Sequence, residues 1–126
     1  MRFLTMVKSD ESMPVGPPPP GLMAGIAELG VRATKDGTLL DQGGLLPTAT
    51  GALVRVSGGK VTVVDGPFAE AKEVIGGYAM WQVRSKEEAV HAARRFMQLH
   101  ADLWPGYVGV CEVRQVMDQP GGPPQQ

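Results

Sequence analysis

The sequence predicts an α+β protein whose antiparallel sheet carries two helices on one face. Two stretches of the chain have apolar residues at the three- and four-residue spacing of an amphipathic helix, and several short runs are rich in β-branched residues. Each helical stretch lies between two of these runs. The chain therefore reduces to two strand-helix-strand halves, with one further hairpin inserted between them.

The first half begins with a strand over Arg2 to Lys8, which a polar loop follows. The proline run at positions 17–20 ends where a helix can begin, because the fixed φ of proline suits the first helical turn. Asp36-Gly37 ends the helical pattern, and Thr38 to Leu40 predicts a short strand. The apolar face of this first helix consists of Leu22, Ile26, Leu29 and Ala33.

The second half begins with a strand over Tyr78 to Val83. Ser85 then opens a helix with Glu88 three residues later, which is the spacing of a capping box. Pro105-Gly106 ends this helix, and Tyr107 to Met117 predicts the last strand. The predicted apolar stripe of the second helix consists of Ala89, Ala92, Phe96, Leu99 and Leu103.

The inserted hairpin consists of two β-branched runs, Ala52 to Val56 and Lys60 to Val64, joined by Ser57-Gly58-Gly59. Without it, the order of elements is that of a ferredoxin-like fold. Residues 1–117 are predicted to form one domain, because a chain of 126 residues has the usual length of a single domain. Residues 118–126 have almost nothing to bury and are predicted to form a flexible tail.

The strand patterns predict a homodimer, because both faces of the sheet are apolar. Met80 and Trp81 point to opposite faces of one strand, as do Phe3 and Leu4 in another. Two helices can cover only one face, so the other face needs a further cover. A second copy packed sheet on sheet is the simplest cover, since two-fold pairs are the commonest oligomers.

Composition restricts the classes of partner and compartment. Twelve basic and thirteen acidic residues give a net charge of −1, which argues against direct contact with nucleic acid. No run is long and apolar enough to span a membrane or to serve as a signal peptide. The single cysteine, Cys111, has no partner for an internal disulfide and suits a reducing compartment, so a cytoplasmic protein is expected.

The motif Asp65-Gly66-Pro67-Phe68, followed by a charged run, is similar to the signature of the YCII-related, or DGPF-domain, family. The resemblance extends over about residues 1–117 and implies a dimeric α+β barrel. Some members resemble enzymes that act on small ring-cleavage products with a His and Asp pair, the His lying on the first helix. This chain has no histidine between Leu22 and Lys35, so that role lacks its base. Similar domains also occur beside or fused to extracytoplasmic-function sigma factors, which implies a regulatory protein as another kind of partner.

Two roles for Asp65 stay open. In the structural role the carboxylate caps the N–H of Phe68, because Pro67 has no N–H to offer; such capping is common and is the favoured interpretation. In the functional role a proline-stiffened turn holds the carboxylate at a pocket, where it accepts a proton or binds a cationic group. Asp41 is the second candidate carboxylate, since it ends a strand beside Gly43 and Gly44.

An Asp41 and Asp65 pair in one pocket could supply a general acid and a general base. Gly43 and Gly44, predicted to form a turn or bulge, could leave space for a ligand, although neither a GxGxxG nor a Walker pattern is present. The residues predicted to bind a ligand are Gly43, Gly44, Gly66, Pro67, Phe68, Glu70 and Lys72.

The remaining reactive side chains predict neither a metal nor a cofactor. His91 and His100 are separated by about two and a half helical turns and face opposite sides, so they cannot form a metal pair. His91 is expected in solvent and His100 near the edge of the core. Cys111 lies in an apolar strand without a His partner, and is interpreted as a buried thiol rather than a nucleophile.

Two functions remain open from the sequence. The favoured one is a non-catalytic module that binds a small molecule in a cleft near the Asp-Gly-Pro-Phe turn, or that acts as an accessory to a regulator. The alternative is a lyase or isomerase without a cofactor, which uses Asp65 as general acid or base and Asp41 as helper.

Overall fold

The computed structural model describes residues 1–12, 16–68 and 73–117, and within them the chain forms six strands, two α-helices and a short 3₁₀ turn. The predicted tail at 118–126 lies outside the described residues. In chain order the elements are β1 (Arg2–Ser9), α1 (Pro20–Lys35), β2 (Leu39–Gly44), the 3₁₀ turn (Thr48–Thr50), β3 (Ala52–Ser57), β4 (Lys60–Asp65), β5 (Val74–Gln82), α2 (Lys86–Leu103) and β6 (Val110–Gln115).

The main sheet has the strand order β2-β5-β1-β6, and every neighbouring pair is antiparallel. When the hairpin strands β3 and β4 are left out, this is the strand order of a ferredoxin-like fold, so the predicted α+β class is confirmed. The strand β1 lies inside the sheet, where Phe3 pairs with Trp81 of β5 and with Gln115 of β6. The sheet is open at its edges and does not close into a barrel within one chain.

The core lies between one face of this sheet and the helices. Phe3, Val83 and Ala89 form a buried cluster there. The helix α2 packs over β1 and β6, α1 packs over β2, and the two helices contact each other. Because side chains alternate along a strand, Leu4 and Met6 of β1 and Met80 of β5 face the other way, and no described element covers them.

The helix ends follow local sequence signals. The helix α1 starts at Pro20, in the first-turn position that suits proline. At the start of α2 the Ser85 hydroxyl accepts the N–H of Glu88 at 3.2 Å. The Glu88 carboxylate in turn accepts the N–H of Arg84 at 3.1 Å. The predicted capping box is therefore present, with its return bond one residue earlier than usual.

The buried stripe of α2 differs from the predicted one. Its buried residues are Ala89, Ala93 and His100, whereas Leu103 is 40 % exposed. The stripe turns toward His100 because three aromatic side chains pack around this imidazole. His100 is thus a core residue, while His91 is exposed, so the two histidines face different surroundings as their spacing predicts.

Two strands have different limits from those predicted. The strand β2 continues through Gly44, and its pairing with β5 shifts between Leu39 and Asp41, so the expected turn or bulge at the glycines is instead a bulge near Leu40. The strand β6 begins only at Val110, because Tyr107 turns back to stack on Trp104.

The strands β3 and β4 form a separate two-stranded sheet. Val54 pairs with Val63 and Val56 with Val61, so these four side chains share one face. They are 65–75 % exposed in the single chain. None of the helices in the described residues is both long and apolar enough to cross a membrane.

Candidate functional site

A cavity of about 1290 Å³ lies between the two helices and the sheet. The surface of its wall is mostly apolar, although polar and charged residues such as Gln42, Glu88 and Arg95 also line it. Ligand pockets in proteins are concave and mostly apolar in the same way, with a small number of placed polar groups. The apolar residues of the wall include Ile26, Ala33, Trp81, Phe96, Trp104 and Tyr107.

Gly43 and Gly44 lie in the wall of this cavity, on β2. A Cβ atom at Gly43 would stand 3.0 Å from the Tyr78 ring, so the glycine lets that ring pack closely. The neighbouring Gln42 places its amide against Gly30 of α1, where an added Cβ would lie 2.5 Å from the amide nitrogen. Gly43 and Gly30 therefore allow β2 to pack closely against its neighbours, whereas an added Cβ at Gly44 would have no close contact. Gly43 and Gly44 also border the cavity.

Two hydrogen bonds connect polar groups of the sheet that line the cavity. The Trp81 indole N–H donates to the Thr5 hydroxyl at 3.0 Å, and this hydroxyl donates to the Ala79 carbonyl at 3.4 Å. Thr5 is only 5 % exposed, and both of its hydrogen-bonding capacities are used within the protein. This pair is therefore a satisfied part of the core.

His100 is the other buried polar side chain in the cavity wall, and it is 6 % exposed. Its Nδ1–H donates to the Phe96 carbonyl, one helical turn earlier, at 3.0 Å. Its ring centroid lies 4.8 Å from that of Phe96 and 4.9 Å from that of Tyr107. Trp104 stacks on Tyr107 at 4.7 Å and completes an aromatic cluster at the end of α2.

Two weak acids are found here, Tyr107 within the aromatic cluster and Cys111 near it. Burial raises the pKa of the Tyr107 hydroxyl, and the nearby Cys111 raises it further. Burial also raises the pKa of the Cys111 thiol. A raised pKa keeps the thiol protonated at neutral pH, which agrees with the prediction of a structural cysteine rather than a nucleophile.

Asp41 lies on β2 but is not among the cavity wall residues. Its side chain is exposed, and one carboxylate oxygen accepts the N–H of Gln42 at 2.9 Å. The other oxygen is 3.5 Å from the Tyr78 hydroxyl, at the limit of a hydrogen bond. Asp65 ends β4 in the separate hairpin sheet, is also exposed, and likewise does not line the cavity. The structure thus does not bring the two carboxylates together in this cavity.

Gly66 and its neighbours attach the base of the hairpin to the 3₁₀ turn. The Gly66 N–H donates to the Gly51 carbonyl at 2.8 Å, and the Gly66–Pro67 peptide is cis. A Cβ atom at Gly66 would stand 1.7 Å from the Thr48 carbonyl oxygen, which no side chain can tolerate. The Phe68 ring packs within 3.6 Å of the position of a Cβ at Gly51. Gly66 and Phe68 therefore hold a close backbone contact and do not line the cavity.

The N–H of Phe68 is capped by Thr48, not by Asp65. The Thr48 hydroxyl accepts this N–H at 3.1 Å and donates to the Glu11 carboxylate. Glu11 also accepts the backbone N–H of Thr48 at 3.2 Å. The structural role predicted for Asp65 is therefore taken by another residue, and no described residue forms a hydrogen bond with the Asp65 carboxylate. Glu70 and Lys72, the remaining predicted binding residues, lie outside the described residues.

A cluster of charges lies beside the uncovered sheet face. Lys8 Nζ is 2.8 Å from Glu112 and 3.6 Å from Glu73, and Arg114 is 3.1 Å from the other oxygen of Glu112. The hydrogen bond from Lys8, and then that from Arg114, lowers the pKa of Glu112. The same hydrogen bond raises the pKa of Lys8. These groups are ion-paired at neutral pH. On the uncovered face, Glu112 lies beside Met6 and Arg114 beside Leu4, so the charges border one side of the apolar residues Leu4, Met6 and Met80.

The comparison with protein families covers nearly the whole chain, since the model of the YCII-related domain matches residues 1–118. The chain belongs to the YCII-related family. An uncharacterised protein of Rhizobium meliloti (strain 1021) is similar to this YCII-related domain, with 44 % identity over 50 residues. The match spans about 40 % of each of the two chains.

Replacing Thr48 and replacing Asp65 should affect stability differently. Thr48→Val removes the acceptor for the Phe68 N–H and the donor to Glu11 at almost unchanged volume, so we expect the free energy of unfolding to fall by about 1–2 kcal/mol. Asp65→Asn breaks no hydrogen bond within the described residues and should change it by less than about 0.5 kcal/mol. Urea unfolding followed by circular dichroism measures both. A larger loss in Asp65→Asn than in Thr48→Val would contradict the assignment of the cap to Thr48.

Proposed function

We propose that this YCII-related domain is a homodimeric, non-catalytic module that binds a small molecule in the cavity between its helices and its sheet. The observation that carries the proposal is the cavity itself, which is about 1290 Å³ in a chain of 126 residues. Pockets of about 300–1,000 Å³ are large enough for small-molecule ligands. The mostly apolar wall favours a ligand with an apolar body and few polar groups.

The Asp-Gly-Pro-Phe turn does not line the cavity, but it contacts the segment that follows the cavity-lining strand β2. The strand β2 passes along the cavity at Gly43 and Gly44, and Thr48 follows only four residues after Gly44. Gly66 packs against the Thr48 carbonyl, and the Phe68 N–H donates to the Thr48 hydroxyl. The turn therefore restrains the position of the segment that follows β2. We infer that the motif acts on the cleft through this connection.

Two apolar surfaces support the homodimer. The uncovered sheet face presents Leu4, Met6 and Met80 with ion pairs of Glu112 along one side, and an apolar patch bordered by polar groups is typical of a protein interface. The hairpin presents its four-valine face, whose side chains are 65–75 % exposed in the single chain. A second copy that packs on the sheet and receives the hairpin would cover both surfaces. In the cytoplasm, where we place the protein, Cys111 would stay reduced.

The catalytic alternative, a lyase or isomerase that uses Asp65, keeps one specific observation in its favour. The carboxylate is exposed and does not cap Phe68, so it remains available to a ligand brought by a partner chain. Under this alternative, Asp65→Asn abolishes conversion of a lactone or muconate-like substrate while the protein stays folded. Chromatography of the compounds after incubation with both proteins decides it: unchanged compounds with wild type contradict catalysis.

Ligand binding is tested by thermal unfolding against a panel of small carboxylic acids, lactones and phenols. A compound present at about 100 times its Kd should raise the free energy of unfolding by about 2.7 kcal/mol. Filling the cavity by Ala33→Trp should remove this stabilisation, because Ala33 lies in the wall. Ala27→Trp is the matched control, since Ala27 is exposed on the same helix outside the wall. Stabilisation that survives Ala33→Trp would place the ligand elsewhere.

Dimer formation is tested by analytical ultracentrifugation of hairpin variants. Val63→Lys puts a charge into the four-valine face, and we expect the dimer Kd to rise by at least about tenfold, since a buried unpaired charge is costly. Thr62→Lys puts the same charge on the opposite face of the same strand and should leave the Kd within about threefold. Equal dissociation constants for the two variants, or a monomeric wild type, would refute this use of the hairpin.

A further inference from the structure

We propose that His100 is the polar anchor of the cavity, and that its Nε2 accepts a hydrogen bond from the hydroxyl group of an aromatic ligand of the phenol class. The proposal rests on the proposed use of the cavity as the ligand site. It adds the chemical class of the ligand and the atom that recognises it. The anchor lies on α2, away from the motif residues that the sequence singles out.

The hydrogen bonding of His100 determines which ring nitrogen is available. Nδ1 lies 3.0 Å from the Phe96 carbonyl oxygen, which can only accept, so Nδ1 carries the proton. In the neutral imidazole the lone pair is then on Nε2. No described residue forms a hydrogen bond with Nε2, although the residue is 6 % exposed. A buried acceptor without a partner costs free energy, and a ligand that donates to it removes this cost.

The surroundings of the ring favour an aromatic ligand. Phe96 meets the imidazole edge to face, with an angle of 61° between the ring planes. The Tyr107 ring is tilted by 43° from the imidazole at a centroid distance of 4.9 Å, and Trp104 stacks on Tyr107 with an angle of 25° between the ring planes. All these side chains line the cavity, so a planar ring that enters beside His100 meets further rings at favourable offset or edge geometries.

The same surroundings favour a neutral donor over an anion. The aromatic rings packed against the imidazole are those of Phe96, Trp104 and Tyr107, and none of them is charged at neutral pH. Charged residues such as Arg32 and Arg95 also line the cavity, but no described charged side chain forms an ion pair or hydrogen bond with His100. A carboxylate ligand at this place would bring a charge among aromatic rings, where it loses hydration. A phenolic hydroxyl donates to Nε2 without bringing a charge.

A matched set of three probes tests the proposal by isothermal titration calorimetry at neutral pH: 4-ethylphenol, its methyl ether 4-ethylanisole, and 4-ethylbenzoate. The ether carries a methyl group in place of the hydroxyl hydrogen, so it is slightly larger and more apolar than the phenol but cannot donate a hydrogen bond. We expect wild type to bind the phenol roughly three- to tenfold more tightly than the ether, which is the effect of one neutral hydrogen bond. The benzoate should bind more weakly than the phenol.

His100→Phe keeps the aromatic ring and removes the acceptor, so the preference for the phenol over the ether should vanish. Gln98→Phe is the control, because Gln98 is exposed on the same helix outside the cavity wall, and it should keep the preference. The comparison of probes in wild type does not depend on the folding of any variant.

Equal binding of phenol and ether by wild type, or tighter binding of the benzoate, overturns the inference while leaving the cavity as a ligand site. A preference that persists in a folded His100→Phe also overturns it. Absence of binding by all three probes, together with no hit among the compounds of the wider panel, overturns the proposed function and this inference together.

Discussion

A sheet has two faces, and the two helices of this chain cover only one of them. With β1 inside the sheet and antiparallel neighbours on both sides, every second residue of its strands must point away from the helices. Leu4, Met6 and Met80 are apolar residues in such positions. The need to cover this face links the fold to the proposed dimer, and it leaves the opposite, helix-covered face as the place for a cavity.

The Asp-Gly-Pro-Phe motif has a structural explanation that does not require chemistry at its carboxylate. Only glycine fits at position 66, because any Cβ atom would clash with the Thr48 carbonyl oxygen. The backbone N–H of Phe68 donates a hydrogen bond to the Thr48 hydroxyl. These contacts join the end of the hairpin to the segment that follows β2. A family signature can therefore mark a junction between elements, while the polar anchor that we propose for a ligand lies on a different element, α2.

The sequence predicted the features that depend on neighbouring residues. The Ser85 cap, the proline start of α1 and the hairpin at Gly58-Gly59 are local, and all are present. The partner of the Phe68 N–H could not be predicted, because Thr48 precedes it by 20 residues. The burial of His100 is visible in the sequence, because Ala89, Ala93, Phe96 and His100 recur at helical spacing. It was not predicted, because histidine is not counted as apolar when such a pattern is read. The limits of β6 depended on the packing of Tyr107, which is tertiary.

The hairpin of β3 and β4 has a further consequence for local stability. It shares no ladder with the main sheet, and a two-stranded sheet is only marginally stable in water by itself. Its amide hydrogens should therefore exchange through a separate, low-energy opening, whereas those of β1 exchange only when the main sheet opens. If a second copy covers the four valines, this exchange becomes a function of protein concentration. In that case the hairpin becomes fully stable only when two copies of the chain associate.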